Sequence, residues 1–304
     1  MKLAVIDLGT NTCNLLIAGV NGKNYRILYQ GKLGVKLGKD GIDKNLLSRE
    51  AFSRATAALN QHRETIATFG ADRVVTIATS AVRDAANQEA FSAHIEKETG
   101  MPLSVISGEE EARLIFQGVK LAFGSIPDHT LILDIGGESN EFIQTKNNEI
   151  YWKESFPLGM ARVVEQFSIS DPISENEIAA IETYFENGLS KLWKQLAGTE
   201  VARLIGCSGA FDTLADLIDQ TPPGSKQRVK QPISPADFQY IAKQIIHSTK
   251  AQRDKMTGME PLRVEMIVPS FLFIWLVLTR LKPTEMIQTD FALREGVLYE
   301  WINH

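Results

Sequence analysis

Hydrophobic and polar positions alternate in short stretches at the start of the chain, and the same pattern returns after residue 130. Each region opens with an apolar run that ends in an Asp, at Asp7 and at Asp134, and two further short alternating segments follow it. Alternation with a period of two is typical of half-buried strands. The pattern therefore predicts two meanders of antiparallel strands, each of which begins next to an Asp.

Helical periodicity follows each meander and is interrupted by short apolar segments. The predicted helices are 48–69, 84–99, 109–122, 160–167, 174–196 and 210–218, and the predicted strands between them are 73–78, 103–106, 203–205 and 286–289. The same order in both halves predicts an α/β fold of two similar domains. We expect these domains to span residues 1–124 and 125–304, because Gly124 and Pro127 interrupt the pattern at the boundary.

The composition is that of an ordinary globular protein and narrows the possible partners. The chain has 304 residues, of which 44% are hydrophobic and 23% are charged, and its net charge is −5. This charge argues against broad electrostatic binding to nucleic acid or to an anionic membrane. The apolar run 266–278 is too short to cross a bilayer and contains Pro269, so we expect a buried helix there.

Three other features bear on location, cysteine state and surface. Asp7 interrupts the N-terminal apolar run, which argues against a signal peptide and makes the cytoplasm the expected location. Cys13 and Cys207 lack metal-ligand spacing, so we expect buried free thiols. The basic stretch 226–230 predicts either a polyanion contact or a solvated loop.

Small and hydroxyl residues follow both Asp residues. They are Gly9, Thr10, Asn11 and Thr12 after the first Asp, and Gly136, Gly137 and Ser139 after the second, where Glu138 lies between Gly137 and Ser139. Such residues allow a tight turn that directs several backbone N–H groups toward one point, and turns of this kind bind phosphate. The sequence therefore predicts two phosphate-binding turns, and Gly206, Ser208 and Gly209 predict a third.

The turns occur together with further segments that resemble one known family. These segments are Ala-Thr-Ser-Ala-Val-Arg-Asp-Ala at 78–85, Ile-Ser-Gly-Glu-Glu-Glu-Ala-Arg-Leu-Ile at 106–115, Ser-Phe-Pro-Leu-Gly at 155–159 and Leu-Arg-Glu-Gly at 293–296. In this order the chain resembles the exopolyphosphatase/guanosine pentaphosphate phosphohydrolase (Ppx/GppA) family. The resemblance implies two ribonuclease-H-like domains of the actin and sugar-kinase superfamily that flank an interdomain cleft. It also implies that the C-terminal helix, 291–301, packs back on the first domain.

The resemblance further implies roles for Glu111 and Arg83. Glu111 is expected to be the general base that deprotonates the attacking water, and Arg83 is expected to contact the phosphate. The residues alone leave two alternatives open. Glu111 is also the kind of acid that a helix dipole stabilises at a helix N-terminus, and Arg83 could pair with Asp84.

Three carboxylates are expected to hold Mg²⁺, which proteins bind through one or two carboxylates plus the substrate phosphates. They are Asp134, Glu141 and, as the equivalent in the first turn, Asp7. An Asp at a strand end can instead bond to its own turn, and this alternative stays open. Ser208 and Gly209 are expected to contribute to phosphate binding with the other turns. Glu138 departs from the family pattern, which usually has glycine there, and a carboxylate in that turn repels substrate unless it points away or binds metal.

The implied activity is the Mg²⁺-dependent release of terminal orthophosphate from inorganic polyphosphate. Guanosine pentaphosphate is the alternative substrate, and the resemblance also implies a homodimer. Two other functions stay open. One is an ATP-dependent kinase of the same superfamily, and the other is a sensor that binds a phosphate chain without hydrolysing it.

Overall fold

The structure is a computed structural model that describes residues 1–39, 41 and 45–303. The chain forms two compact units. The first comprises Met1–Leu121 and the residues from Ala292 onward, and the second comprises Ala122–Phe291. The domain limits expected from the sequence stay a prediction, and residue 304, the last of them, lies outside the described residues.

Each unit contains one mixed sheet. The strands of the first unit are β1 (Lys2–Leu8), β2 (Thr12–Asn21), β3 (Asn24–Gly34), β4 (Arg73–Ala78) and β5 (Ser104–Val105). Those of the second are β6 (Thr130–Ile135), β7 (Asn140–Lys146), β8 (Glu149–Phe156), β9 (Arg203–Cys207), β10 (Gln231–Ile233) and β11 (Glu285–Thr289).

The two sheets share one strand order. The first runs β3-β2-β1-β4-β5, and the second runs β8-β7-β6-β9-β11 with β10 added at its edge. In both, the first three strands of the unit are antiparallel and the later central strands are parallel to the first. The repeat expected from the hydrophobic pattern is therefore present in the backbone pairing.

Helices surround both sheets. They are α1 (Arg49–Phe69), α2 (Ser80–Arg83), α3 (Gln88–Thr99), α4 (Gly108–Phe123), α5 (Met160–Gln166), α6 (Glu175–Gly188), α7 (Ser190–Gln195), α8 (Gly209–Asp219), α9 (Pro235–Ile246), α10 (Lys250–Arg253), α11 (Ile267–Leu281) and α12 (Leu293–Asn303). Helix α11 is the buried apolar helix expected at 266–278, and α12 packs against β1 and β2. Leu3 to Ile6 of β1 are fully buried, because helices cover both faces of this strand rather than the one face that alternation predicts.

Two predicted helices have the wrong bounds, one strand was not predicted, and one residue of the basic stretch 226–230 is buried. The predicted helix 174–196 is broken at Leu189, where the missing Cβ of Gly188 leaves room for the Leu158 side chain. The predicted helix 84–99 begins only at α3, because the preceding Asn87 side chain bonds to the backbone of Leu47. The alternation did not predict β10, a short edge strand that contains a proline. Residues 226, 227, 229 and 230 are exposed, as the solvated-loop interpretation expects, whereas Arg228 is buried and paired with two aspartates of α8.

Candidate active site

The first glycine turn joins β1 to β2. The Gly9 N–H donates to the Thr12 carbonyl at 3.0 Å and closes the turn. The Thr10 carbonyl accepts from Leu37 N–H at 2.6 Å, and the Asn11 carbonyl accepts from Val35 N–H at 2.9 Å. Because a trans peptide directs its C=O and its N–H to opposite sides, the N–H groups of Asn11 and Thr12 point away from the 35–37 segment. The turn therefore presents donors on one side, as a phosphate-binding turn requires.

The second glycine turn, between β6 and β7, closes in the same way. The Gly136 N–H donates to the Ser139 carbonyl at 3.0 Å. The carbonyls of Gly136, Gly137 and Glu138 accept from the N–H groups of Met160, Ala161 and Gly159, at 3.0, 2.7 and 2.9 Å. These three bonds attach the turn to the start of α5 and direct the next three N–H groups away from that helix. The second turn is thus anchored by a helix, whereas the first is anchored by an extended segment.

Asp7, at the end of β1, is a carboxylate with one unsatisfied oxygen. Asn14 Nδ2 donates to Asp7 Oδ2 at 3.2 Å, whereas Oδ1 is buried and has no hydrogen-bond partner among the described residues. Burial raises the pKa of Asp7, and the Asn14 hydrogen bond and the charge of Arg294 act in the opposite direction. A buried anionic oxygen without a donor is costly, so this atom fits a cation ligand.

Asp134 is the counterpart of Asp7 in the second unit. Glu141 lies opposite it in the register of β6 and β7, as Asn14 lies opposite Asp7 in that of β1 and β2. Both Asp134 and Glu141 are buried, and each accepts a hydrogen bond from a serine hydroxyl. Ser208 Oγ donates to Asp134 Oδ2 at 2.7 Å, and Ser155 Oγ donates to Glu141 Oε1 at 2.7 Å. Hydroxyl donors of this kind orient carboxylates that bind metals. The pair therefore also fits a divalent cation.

The third turn links β9 to α8 at Ser208 and Gly209. A Cβ at Gly209 would overlap the guanidinium of Arg263. Arg263 is buried, its Nε has no hydrogen-bond partner within the described part of the chain, and burial lowers its pKa. The sequence motif identified the turn, but it did not identify Arg263, which lies in a loop without any local signal.

Glu138, the residue that departs from the family pattern, is buried next to an arginine. Its Oε2 lies 3.8 Å from Nη2 of Arg162 in α5, and its backbone carbonyl bonds to Gly159. A Cβ at Gly159 would overlap the Glu138 backbone, so this close approach requires glycine. The Glu138 side chain is therefore held beside a positive charge.

Arg83 and Glu111 form an ion pair in the first unit. Arg83, the last residue of α2, donates from Nη1 to Glu111 Oε2 at 2.9 Å and to the Ile106 carbonyl at 3.2 Å. Its Nε also contacts Asp84 at 3.3 Å, so the predicted Arg83–Asp84 pair exists as well. Glu111 is only 8% exposed, although it lies in the first turn of α4 where acids are commonly solvated. The structure thus brings together the two residues for which the sequence predicted catalytic roles.

Within residues 1–39, 41 and 45–303, no group of three or more His, Cys, Asp or Glu side chains is arranged to hold a metal ion. A cation here would depend on one or two carboxylates, and the substrate and water would supply its other ligands. Cys13 and Cys207 are free and buried, as expected. No helix in the described ranges is long and apolar enough to cross a membrane.

Solved structures that are similar over the whole length of the chain define the class. A crystal structure of an exopolyphosphatase from Cytophaga hutchinsonii matches with a TM-score of 0.94 and 35% identity, over 100% of this chain and 98% of that one. The PPX-GPPA enzyme of Aquifex aeolicus matches with a TM-score of 0.81 and 25% identity, over 99% of both chains. The fold is the two-domain α/β fold of actin-like ATPases and sugar kinases, which confirms the expected fold class.

Sequence comparison leads to the family. Exopolyphosphatase 1 of Mycobacterium tuberculosis is 26% identical over 302 residues, which are 98% of this chain and 87% of that protein. The model of the Ppx/GppA phosphatase family matches residues 16–304. The chain belongs to the Ppx/GppA phosphatase family. Two expectations from the sequence are therefore confirmed: the chain is a member of this family, and it is a hydrolytic enzyme.

Proposed function

We propose that this chain is a Mg²⁺-dependent exopolyphosphatase, which releases terminal orthophosphate from inorganic polyphosphate. The relatives that are named exopolyphosphatases, at 35% and 26% identity, support this substrate class. The observation that carries the proposal is the buried Glu111 carboxylate, which Arg83 holds at 2.9 Å at the start of α4. A buried, oriented carboxylate is suited to act as a general base.

In the proposed reaction, Glu111 accepts a proton from the attacking water. The new bond forms between the water oxygen and the terminal phosphorus, and the bond from that phosphorus to the bridging oxygen breaks. The shortened polyphosphate leaves with this oxygen. Arg83 neutralises charge on the phosphoryl oxygens, since a guanidinium bonds well to phosphate. Stabilisation of this kind is the main contribution that a protein makes to phosphoryl transfer.

The remaining site residues bind phosphate or the cation in this proposal. We assign phosphate binding to the turns at Gly9, Thr10, Asn11, Thr12, Gly136, Gly137, Glu138, Ser139, Ser208 and Gly209. Asp134 and Glu141 would hold the divalent cation, and Asp7 is their counterpart in the first unit. A bound Mg²⁺ would neutralise negative charge on the transferred group. The unsatisfied Asp7 Oδ1 and the oriented carboxylates of Asp134 and Glu141 support this assignment.

The substitution Glu111→Gln tests the proposed base directly. It keeps the shape of the side chain and removes its ability to accept the proton, so we expect phosphate release to fall by about 10²–10⁴-fold. Glu110→Gln is the matched control, because Glu110 is adjacent in α4 but pairs with Arg113 at 2.6 Å. Orthophosphate release from polyphosphate with Mg²⁺ is the measurement. Equal rates for Glu111→Gln and wild type would reject Glu111 as the base.

A second assay addresses the substrate. Polyphosphates of several lengths and guanosine pentaphosphate are compared side by side, and we expect faster release from polyphosphate. ADP formation that depends on an added acceptor would indicate a kinase, and tight binding without turnover would indicate a sensor. The homodimer and the cytoplasmic location stay predictions, which sedimentation and cell fractionation can test.

A further inference from the structure

We propose that Ser208 is a positioning residue, whose hydroxyl orients the Asp134 carboxylate for the divalent cation. This inference rests on the proposed assignment of Asp134 as a cation ligand. It gives Ser208 a role beyond phosphate binding.

Ser208 has a backbone conformation that normally requires glycine. Its φ is 69° and its ψ is 175°, in a region that residues with a Cβ rarely adopt. The residue joins the end of β9 to the first turn of α8. Glycine would form this turn without strain. The presence of serine therefore points to a use for its side chain.

The Ser208 side chain is hydrogen-bonded to Asp134. Ser208 Oγ donates to Asp134 Oδ2 at 2.7 Å. Strands β6 and β9 are parallel neighbours in which Asp134 is opposite Cys207, so Ser208 comes one residue after the position that pairs with Asp134. A hydroxyl has a single proton. Because that proton is donated to the carboxylate, the phosphate binding proposed for this turn would use its backbone N–H groups and not the Ser208 hydroxyl.

The neighbouring residues prevent the turn from relaxing. A Cβ at Gly206 would overlap the ring of Phe211, and one at Gly209 would overlap the Arg263 guanidinium. The Ser208 carbonyl also accepts from Phe211 N–H at 3.0 Å, the first bond of α8. The backbone is therefore fixed on both sides of Ser208, which directs its hydroxyl at Asp134. A hydrogen bond to a metal-ligating carboxylate orients that carboxylate. Loss of such a hydrogen bond typically weakens metal binding by about 10–100-fold.

Two substitutions separate the hydroxyl from the turn conformation. Ser208→Ala removes the hydroxyl and keeps the backbone strain, whereas Ser208→Gly removes both. We expect both variants to bind Mg²⁺ about 10–100-fold more weakly than wild type. We also expect Ser208→Gly to melt about 2–4 °C above Ser208→Ala, because glycine relieves the strain. The measurements are calorimetric titration of the full chain with Mg²⁺ alone and thermal unfolding.

Gln220→Gly is the matched control at the other end of α8. Gln220 also has a positive φ, 55°, but among the described residues its side chain donates a hydrogen bond only to the carbonyl of Leu217. This variant should melt higher than wild type and bind Mg²⁺ with unchanged affinity. If Ser208→Gly binds Mg²⁺ as wild type does, the hydroxyl has no positioning role and the inference is wrong.

Asp134→Asn distinguishes this failure from failure of the proposed cation site. If Asp134→Asn abolishes Mg²⁺ binding while both Ser208 variants retain it, only the role of Ser208 is rejected. If Asp134→Asn binds Mg²⁺ like wild type, or if wild type binds none, the cation assignment fails and the role of Ser208 fails with it.

Discussion

Glu138 Oε2 lies 3.8 Å from Nη2 of Arg162, so the acid in the second glycine turn has a cation beside it. The Glu138 residue is 6% exposed, and an unpaired carboxylate at that depth would oppose the binding of an anionic substrate. The Arg162 charge offsets this repulsion. We therefore expect the second glycine turn to bind phosphate even though it contains Glu138.

Because the two side chains lie together, we expect substitution of Arg162 to raise the KM for polyphosphate strongly and substitution of Glu138 to change it little. Arg162→Gln removes the positive charge that lies beside Glu138, so we expect the KM for polyphosphate to rise about 10-fold, which corresponds to about 1.4 kcal/mol. Glu138→Gln alone should change KM much less, and the double variant should resemble Glu138→Gln. Steady-state phosphate release measures all three. A double variant as impaired as Arg162→Gln would show that Arg162 acts on the substrate rather than on Glu138.

We expect alanine to be tolerated at Gly9 in the first glycine turn but not at Gly136, its counterpart in the second. A Cβ at Gly136 would lie 2.5 Å from the Ser139 carbonyl oxygen, whereas a Cβ at Gly9 would lie 3.4 Å from the Thr12 carbonyl oxygen. Gly136→Ala must therefore displace the backbone of its turn. A displacement of about 1 Å at a reacting group can cost 10²-fold in rate, so we expect that loss in kcat/KM for Gly136→Ala. For Gly9→Ala we expect a loss below about 3-fold.

Each of these variants serves as the control for the other, because the turns close with equivalent hydrogen bonds of 3.0 Å. Kinetics and thermal unfolding are measured on both. Equal losses in kcat/KM would contradict the argument from the two distances.

The sequence predicted the parts of the site that depend on local pattern. The glycine turns follow strands whose second-last residues are Asp7 and Asp134, and the alternation of apolar residues marks those strands without any tertiary information. Arg83 and Glu111 were predicted because they lie in motifs that resemble the family, although 28 residues separate them. Their ion pair follows from the parallel neighbours β4 and β5, after which α2 and α4 begin.

The residues that were missed depend on contacts between distant segments. Arg263 reaches Gly209 from a loop that has no periodicity or motif. Arg228 is buried because two aspartates of α8 bind it, and a run of basic residues by itself indicates a solvated loop. Such burial depends on which acids the fold brings near, and a local pattern does not contain that information.

Helices α4 and α12 approach closely through two glycines, and this contact predicts an effect of Gly296→Ala. A Cβ at Gly296 would overlap the Leu114 carbonyl oxygen, and a Cβ at Gly118 would overlap the Ala292 carbonyl oxygen. Alanine in place of glycine normally stabilises a helix by about 1 kcal/mol. Here we expect a net loss of about 1–3 kcal/mol in the free energy of unfolding, because the overlap must be relieved by moving a helix. Since α4 also carries Glu111, kcat should fall as well.

Gly19→Ala is the control for this prediction. Gly19 lies in β2 of the same unit, and a Cβ there would meet the Leu28 side chain at 3.5 Å and the Arg26 carbonyl oxygen at 3.9 Å, both ordinary contacts. Denaturant unfolding should show little loss, or a gain, of stability for Gly19→Ala. A Gly296→Ala variant as stable as wild type would mean that the two helices do not require this close approach.

Asp290 predicts a specific dependence of stability on pH. Burial and the charge of Asp212 raise the pKa of Asp290 to about 6. Gln288 Nε2 donates to Oδ1 of both carboxylates, at 3.0 Å for Asp212 and 2.7 Å for Asp290, and Arg228 N–H donates to Asp290 Oδ2 at 2.5 Å. The two bonds that Asp290 accepts, from Gln288 and Arg228, lower its pKa but do not cancel the effect of burial.

In the unfolded chain the pKa of this carboxyl returns to about 4. Between pH of about 4 and about 6 the folded state therefore binds the Asp290 proton and the unfolded state does not, so this group contributes less stability as the pH rises through that range. Asp290→Asn removes the titration, and the free energy of unfolding of the variant should vary less with pH there than that of wild type. Urea unfolding of both proteins from pH 4 to pH 7 is the measurement. Parallel pH profiles would show that Asp290 titrates alike in the folded and unfolded states.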